Sequence, residues 1–220
     1  MYGWWCGCRS LASRAVLAVE IVHGLWRWTA PHPEWKPPGE RTEGADDWDE
    51  MVGSVLYELP DVAVLIDPLL PREGRDEFLR WLDGRVDARP VSILTTIKWH
   101  RRDRSELAER YAGNTTSAWN AVPAGVMPKP LRGAGETLYW LPGAATLLAG
   151  DSLLGAEGGG LSVCPESWLT EVRVDRAGLA RLLRSLLELP IERVLVSHGE
   201  AVLHDGRAAI ARASAQAGDG

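Results

Sequence analysis

The sequence predicts a mixed α/β domain built of stacked layers. Strand-like runs come in pairs in the first third of the chain and then alternate with stretches of helical periodicity, a pattern typical of layered α/β proteins. No internal repeat or linker-like segment interrupts it. A chain of 220 residues can form one domain with a substantial core. We therefore expect a single domain over residues 15–220, preceded by a poorly ordered tail at residues 1–14.

In the first half of the chain, β-branched and aromatic runs predict strands, and apolar residues at helical spacing predict helices. The predicted strands are a pair within residues 16–28, a second pair at 52–59 and 62–67, and a buried strand at 91–97. The predicted helices cover residues 73–82 and 105–111, the second with Ser105 as its N-cap. Prolines exclude a helix or a central strand over residues 30–39, where we expect a surface loop.

The second half alternates more regularly between strands and helices. A strand pair is predicted at 137–141 and 146–149, turned at Pro142-Gly143, and a later strand at 194–197. Asp175 is a suitable N-cap for an amphipathic helix that runs to Leu189, before Pro190. A last helix is predicted at 207–215.

Composition excludes several classes of protein. A formal net charge of −6 argues against a nucleic-acid binder, which would normally carry a basic face. No apolar run approaches the roughly 20 residues that cross a bilayer, and the first residues lack a cleavable signal pattern, so we expect a cytoplasmic protein. Cys6 and Cys8 have no second close pair to complete a four-thiolate metal site.

Two apolar runs that end in metal-ligand residue types carry the chemical information. The run at 146–150 ends at Asp151, and the run at 193–197 ends at His198. Each predicts a buried strand that ends in a polar residue beside a glycine, so a carboxylate and an imidazole are delivered at strand ends.

These runs belong to an ordered series of five segments. The series comprises residues 62–68 with Asp67, the strand at 92–95, the loop at 131–135, Gly150-Asp151 and Ser197-His198-Gly199. Together they resemble the motifs of the metallo-β-lactamase fold superfamily. The resemblance implies a four-layer αββα sandwich of two mixed sheets with helices outside. It also implies that Asp151 and His198 are metal ligands and that Asp67 supports the site without being a ligand.

The superfamily's His-x-His-x-Asp-His motif corresponds to the segment around residues 99–104, and the ligand set depends on the alignment. An alignment on Arg102-Asp103 places these residues at the four ligand positions: Trp99, Arg101, Asp103 and Arg104. An ungapped alignment from Thr95 instead places His100 and Arg101 at the last two positions. We prefer the first alignment because it also brings the following helix into step.

With the preferred alignment, the resemblance implies that only one of two metal ions could be bound. The three histidines of the first metal correspond to Trp99, Arg101 and Arg132, none of which can act as an imidazole ligand. The second metal would keep three competent ligands: Asp103, Asp151 and His198. They would suffice for one zinc or iron ion with an open position.

Two hypotheses follow. The preferred one is a non-catalytic member of the fold without a cofactor, in which Arg101, Arg104 and Arg132 converge near Asp151 and bind a small anionic molecule. At least one arginine would then pair with Asp103 or Asp151 in place of metal charge. The alternative is a one-metal hydrolase of an ester, lactone or thioester. Catalytic residues and the oligomeric state stay open.

Overall fold

Two mixed β-sheets form the centre of the protein. The computed structural model describes residues 18–41, 48–112, 114–115, 122–156 and 158–218. The first sheet has six strands in sequential order: β1 (Val19–Val22), β2 (Leu25–Pro31), β3 (Met51–Glu58), β4 (Ala63–Ile66), β5 (Val91–Leu94) and β6 (Asn114–Thr115). Strands β1 to β4 pair antiparallel, whereas β4, β5 and β6 run parallel.

The second sheet has four strands, of which the last comes from far along the chain. They are β7 (Met127–Leu131), β8 (Glu136–Leu141), β9 (Thr146–Ala149) and β12 (Arg193–Val196), in the order β12-β9-β8-β7. A separate hairpin, β10 (Leu153–Ala156) and β11 (Gly160–Val163), follows β9. Pro128 and Pro130 lie in β7, which tolerates them because it is an edge strand.

Helices cover the outer face of each sheet. On the six-stranded sheet lie α1 (Arg75–Val86) and α2 (Arg104–Tyr111), which pack Phe78, Leu82 and Leu107 against Leu65 and Ile93. On the four-stranded sheet lie α3 (Arg176–Arg184) and α4 (Gly206–Gly218). Their apolar residues join those of the sheet in a second outer core: Leu179, Leu183, Ile210, Leu147 and Val194.

The inner faces of the sheets pack against each other. Side chains alternate between the two faces of a strand, so Val64 and Ile66 join the core between the sheets while Leu65 joins the helices. Leu148 and Leu195 do the same from the other sheet. The order of layers is helix, sheet, sheet, helix, and the predicted four-layer αββα sandwich is confirmed.

The details of some elements differ from the prediction. The strand predicted at 91–97 ends at Leu94, because the chain then turns through residues 98–103. Helix α2 begins one residue earlier than expected, so Ser105 is not its N-cap. Asp175 does cap α3, its Oδ1 accepting from the Gly178 N–H at 2.6 Å. The tail predicted at residues 1–14 lies outside the described residues.

The two sheets are joined by backbone contacts near the ends of several strands. The Gly53 N–H of β3 donates to the Ser197 carbonyl at 2.7 Å, just after β12. Thr137 of β8 donates its N–H to the Thr96 carbonyl at 2.8 Å, just after β5. These contacts hold the segments that follow β5 and β12 against strands of the opposite sheet.

Candidate metal centre

Four buried polar residues converge where these strands end. Asp67 follows β4 in a left-handed conformation with φ 47°, and His100 lies in the turn after β5. Asp151 follows β9 and His198 follows β12. All four side chains are buried, so their charges must be balanced locally.

Three of the four residues form a group of metal-ligand type. His100 Nε2 lies 3.0 Å from Asp151 Oδ1, and His198 Nε2 lies 3.4 Å from the same oxygen. The three ligand atoms lie within 4.8 Å of one another. Ligand atoms around a tetrahedral zinc ion, each about 2.0–2.1 Å from it, are roughly 3.3–3.4 Å apart. The spacing of the group is therefore compatible with a small divalent cation.

Hydrogen bonds support this interpretation by occupying the other polar atoms of His100 and Asp151, whereas His198 Nδ1 has no partner among the described residues. His100 Nδ1 donates to Asp67 Oδ2 at 3.0 Å, which directs Nε2 towards Asp151. Trp99 Nε1 donates to Asp151 Oδ2 at 2.5 Å. The remaining oxygen, Asp151 Oδ1, is buried and faces both imidazoles, 3.0 Å from His100 Nε2 and 3.4 Å from His198 Nε2. When His100 is neutral with its proton on Nδ1, this oxygen receives no N–H from His100, and a bound cation would satisfy it.

The turn that carries Asp151 is fixed by Glu136, a buried residue at the start of β8. Its carboxyl group accepts from the backbone N–H groups of Gly150, Asp151 and Ser152 at 2.8, 3.2 and 2.8 Å. Burial, and then the nearby charge of Asp151, raises the pKa of Glu136 to about 7. Glu136 thus positions Asp151 through the backbone.

Without a metal, His100 is itself the cation of the centre. Burial alone would lower the pKa of His100, but the carboxylates of Asp151 and Asp67 outweigh it and raise that pKa to about 9. In the same way, His100 and His198 outweigh the burial of Asp151 and hold the pKa of its carboxyl group well below the usual range. A charged imidazole therefore lies between two carboxylates.

Arg102 connects the segments around the centre. Its Nη1 donates to the carbonyls of Gly53 and Asp67 at 2.7 and 2.9 Å, and its Nη2 to Ser197 Oγ at 3.4 Å. Burial lowers the pKa of its guanidinium group. Because these partners follow strands of both sheets, Arg102 fixes the two sheets relative to each other beside the centre.

The centre opens into a cavity of about 380 Å³. Three tryptophans, Trp48, Trp99 and Trp168, line it together with His100, Asp151 and His198. Trp48 and Trp168 contact the His198 ring edge-on, with centroids 5.7 and 5.5 Å away. The possible ligand group is thus accessible to a small molecule through an aromatic pocket.

Solved structures with the same architecture cover nearly the whole chain. A metallo-β-lactamase from Erythrobacter litoralis superposes with a TM-score of 0.59 at 15% identity, over 94% of this chain and 93% of that one. The FIM-1 metallo-β-lactamase from Pseudomonas aeruginosa, in its mono-zinc form, gives 0.56 at 11% identity, over 92% and 96%. The chain has the metallo-β-lactamase fold.

The likeness at these identities concerns the fold alone. A mono-zinc form of an NDM_FIM-1 like metallo-β-lactamase from Erythrobacter litoralis also gives a TM-score of 0.59, at 15% identity over 94% of this chain and 98% of that one. No family model and no curated protein sequence matches the chain. What its site does must therefore be argued from its own residues.

Within the metallo-β-lactamase fold, the predicted ligands separate into two groups. Asp151 and His198 lie together, as described above. Asp103 is not part of the group: its Oδ2 accepts the Leu70 N–H at 2.6 Å. The third ligand-type residue is His100, which only the ungapped alignment from Thr95 brought to a ligand position.

The three predicted anion-binding arginines do not line the aromatic cavity. Arg101 and Arg104 line a second cavity of about 220 Å³, with Lys98 and Thr95, and Arg132 is exposed. In the described part of the chain, the ion pairs of Asp151 are with His100 and His198, and no arginine pairs with Asp103 or Asp151. The expectation that an arginine pairs with Asp103 or Asp151 in place of metal charge is therefore wrong, because His100 lies beside Asp151 instead. Whether these arginines bind an anion stays a prediction.

Several residues of the site could not be identified from the sequence. Glu136 and Trp168 carry no motif, and Arg102 served only to align the segment around residues 99–104. The contacts of all three join segments that are far apart in the chain. Asp67 was expected to support the site, and it lies against His100. No described helix is both long and apolar enough to cross a membrane.

Proposed function

We propose that the protein is a one-metal hydrolase of the metallo-β-lactamase fold, with His100, Asp151 and His198 as the metal ligands. One observation carries the proposal: three buried ligand atoms face one another while the other atoms of His100 and Asp151 are held by Asp67 and Trp99. Metal-binding histidines typically donate their second ring N–H to a carboxylate in this way.

The chemistry of the donor set supports zinc or iron. Two imidazoles and one carboxylate with an open position are found in catalytic zinc sites and in non-haem iron sites. Binding requires His100 to lose its proton, so the metal ion would replace the imidazolium as the cation between the carboxylates. When bound, such an ion activates water and polarises a carbonyl group.

The protein residues around the ligands have distinct tasks in this proposal. Asp67 orients the His100 ring, and Trp99 leaves a single oxygen of Asp151 available. Glu136 fixes the turn of Asp151, and Arg102 fixes β3 and the segments after β4 and β12. The aromatic cavity would hold an ester, lactone or thioester beside the centre and reduce its exposure to water. No catalytic proton donor is assigned.

A second candidate function is supported by the charge of His100. With a pKa of about 9, His100 is charged at neutral pH and pairs with both Asp67 and Asp151. With the buried guanidinium of Arg102 nearby, the two carboxylates would be balanced, and the fold would persist without a metal. In that case Arg101 and Arg104, which line the second cavity beside Lys98, would bind a small anion, and the protein would be a non-catalytic binder. Arg132 would then have a separate role.

Metal analysis of the purified protein separates the two candidates. After dialysis against zinc and then against buffer, we expect about one zinc ion per chain by elemental analysis. His100→Gln and Asp151→Asn should abolish this stoichiometric binding because each removes a ligand. Asp67→Asn should weaken zinc binding by about 10- to 100-fold, since it removes only the support of His100.

Asp103→Asn is the matched control, because Asp103 was the alternative ligand on the preferred sequence alignment. It should retain the parental zinc content, as should the triple change of Arg101, Arg104 and Arg132 to His. Absence of zinc and iron from the parent, with a folded protein, would support the metal-free binder instead. Zinc-dependent hydrolysis of phenyl acetate, lost in Asp151→Asn, then tests the enzymatic activity.

A further inference from the structure

The aromatic cavity has features that select a kind of ligand. Besides Trp48, Trp99 and Trp168, its wall contains apolar side chains from several elements: Ile97, Ala134, Leu169, Val172 and Leu179. A volume of about 380 Å³ is within the usual range for small-molecule sites. Flat apolar groups pack well against indole rings, so this wall favours an aryl or alkyl group.

Three buried nitrogen atoms of the lining residues have no hydrogen-bond partner in the part of the chain that the structure describes. They are Trp168 Nε1 and Arg102 Nε, which are donors, and His198 Nδ1. A buried donor left without an acceptor is unfavourable by about 1–3 kcal/mol. A ligand with an acceptor oxygen could satisfy such a donor. Trp168 also contacts the ring of His198, which places this residue beside the ligand group.

The charges of the cavity argue against an anionic ligand. Its lining contains four carboxyl groups, those of Glu34, Glu136, Asp151 and Glu171, but one guanidinium group, that of Arg102. The imidazole of His100 is already paired with two carboxyl groups, those of Asp67 and Asp151. The Arg102 Nη atoms already donate to Gly53, Asp67 and Ser197, and the nearby Lys98 Nζ is paired with Glu171 at 3.0 Å.

We infer that the cavity binds a neutral molecule that combines an aryl or alkyl group with an acceptor oxygen, and that Trp168 determines this specificity by packing and by donating its indole N–H. The inference rests on the proposed function for the identity of the reacting bond, which would lie beside His100 and Asp151. A carboxylate-bearing molecule is disfavoured because it would meet like charges on the cavity wall. The ligand class is thus a neutral ester, lactone or thioester, which a neutral amide resembles in shape and charge.

The test compares two probes that differ in charge but hardly in shape, phenylacetamide and phenylacetate. Binding is measured by isothermal titration calorimetry at pH 7 on the chelator-treated full-length chain, in which neither probe can coordinate a metal ion. We expect phenylacetamide to bind at least about tenfold more tightly than phenylacetate. Equal or tighter binding of phenylacetate, or no detectable binding of phenylacetamide, would overturn the inference.

Two variants test the part of Trp168. Trp168→Phe keeps an aromatic ring but removes the donor, and should weaken phenylacetamide binding by about fivefold. Trp81→Phe is the matched control: Trp81 packs in the outer core with Trp26 and Phe78, so it should bind like the parent. Parental binding by Trp168→Phe would refute the donor role. If the Trp168→Phe variant unfolds, the comparison of the two probes in the unaltered chain still tests the inference. That comparison does not depend on the outcome of the metal analysis.

Discussion

His100 is the residue on which the two candidate functions diverge. Its imidazole lies between Asp67 and Asp151, with one ring nitrogen 3.0 Å from each carboxylate. As an imidazolium it pairs with both carboxylates and balances one of their two charges, and as a neutral imidazole it can bind a metal ion through Nε2. The same geometry therefore serves both states, and the proton and the metal compete for one position.

The stability of the metal-free protein should depend on the proton of His100. Because the pKa of His100 is raised from 6.5 to about 9, its charge stabilises the fold fully below pH 6.5, and this stabilisation is lost as the pH rises to about 9. The free energy of unfolding, from urea denaturation with a chelator present, should fall by on the order of 3 kcal/mol between pH 6.5 and 9.

His100→Gln should remove most of this decline, since glutamine does not titrate. His204→Gln is the control, because His204 is exposed at the surface, where it lies 3.4 Å from Glu192. This variant should show the same decline in the free energy of unfolding as the parent. A parental protein whose stability does not change across this interval would show that His100 is not charged between the two carboxylates.

At the scale of single residues, sequence reasoning succeeded where a regular strand precedes the residue. Asp151 and His198 follow buried strands directly, so their side chains could be placed at strand ends. His100 lies within a turn over residues 98–103, in which Arg102 has a φ of 39°. Linear spacing does not determine which side chain of such a segment faces inward, and the alignment that favoured Asp103 was therefore unreliable.

At the scale of elements, two backbones in van der Waals contact hold His198 in place. Gly155 of β10 donates its N–H to the His198 carbonyl at 2.9 Å. A Cβ atom at Gly155 would overlap the backbone of Glu200, and one at Gly199, whose φ is +80°, would overlap the backbone of Gly155. The β10–β11 hairpin can approach the His198 segment only because these residues are glycines.

Gly155→Ala should therefore disturb both stability and metal binding. We expect a loss of about 1–3 kcal/mol in the free energy of unfolding and weaker zinc binding, because the backbone next to His198 must shift. Gly84→Ala is the control: a Cβ there meets no atom within 4 Å, and alanine should stabilise α1 by about 0.5–1 kcal/mol. If the Gly155→Ala variant is destabilised but keeps the parental zinc affinity, the position of the hairpin does not affect the metal centre.

The elements that the sequence predicted are those with strong periodicity and clear ends, such as α3 with its Asp175 cap. The elements that it missed have weak local patterns. Strand β7 contains two prolines, and β10 and β11 have four residues each with glycines among them. Their pairing depends on neighbours in space, which no window of sequence contains.

At the scale of the whole molecule, the candidate centre joins the two halves of the sandwich. His100 and its support Asp67 follow strands of the six-stranded sheet, whereas Asp151 and His198 follow strands of the four-stranded sheet. A metal ion bound by His100, Asp151 and His198 would cross-link the sheets, so only the complete fold could assemble the site. This arrangement follows from the order of segments along the chain, which resembles that of the superfamily. The ligand set does not follow from that order.

The most direct test of the proposed centre is the zinc K-edge X-ray absorption spectrum of the protein loaded with one zinc ion per chain. The proposal predicts only nitrogen and oxygen ligands at about 2.0–2.1 Å, with the scattering pattern of two imidazoles. A sulfur ligand at about 2.3 Å, or a parental spectrum with fewer than two imidazoles, would contradict the assignment of His100, Asp151 and His198 as the metal site.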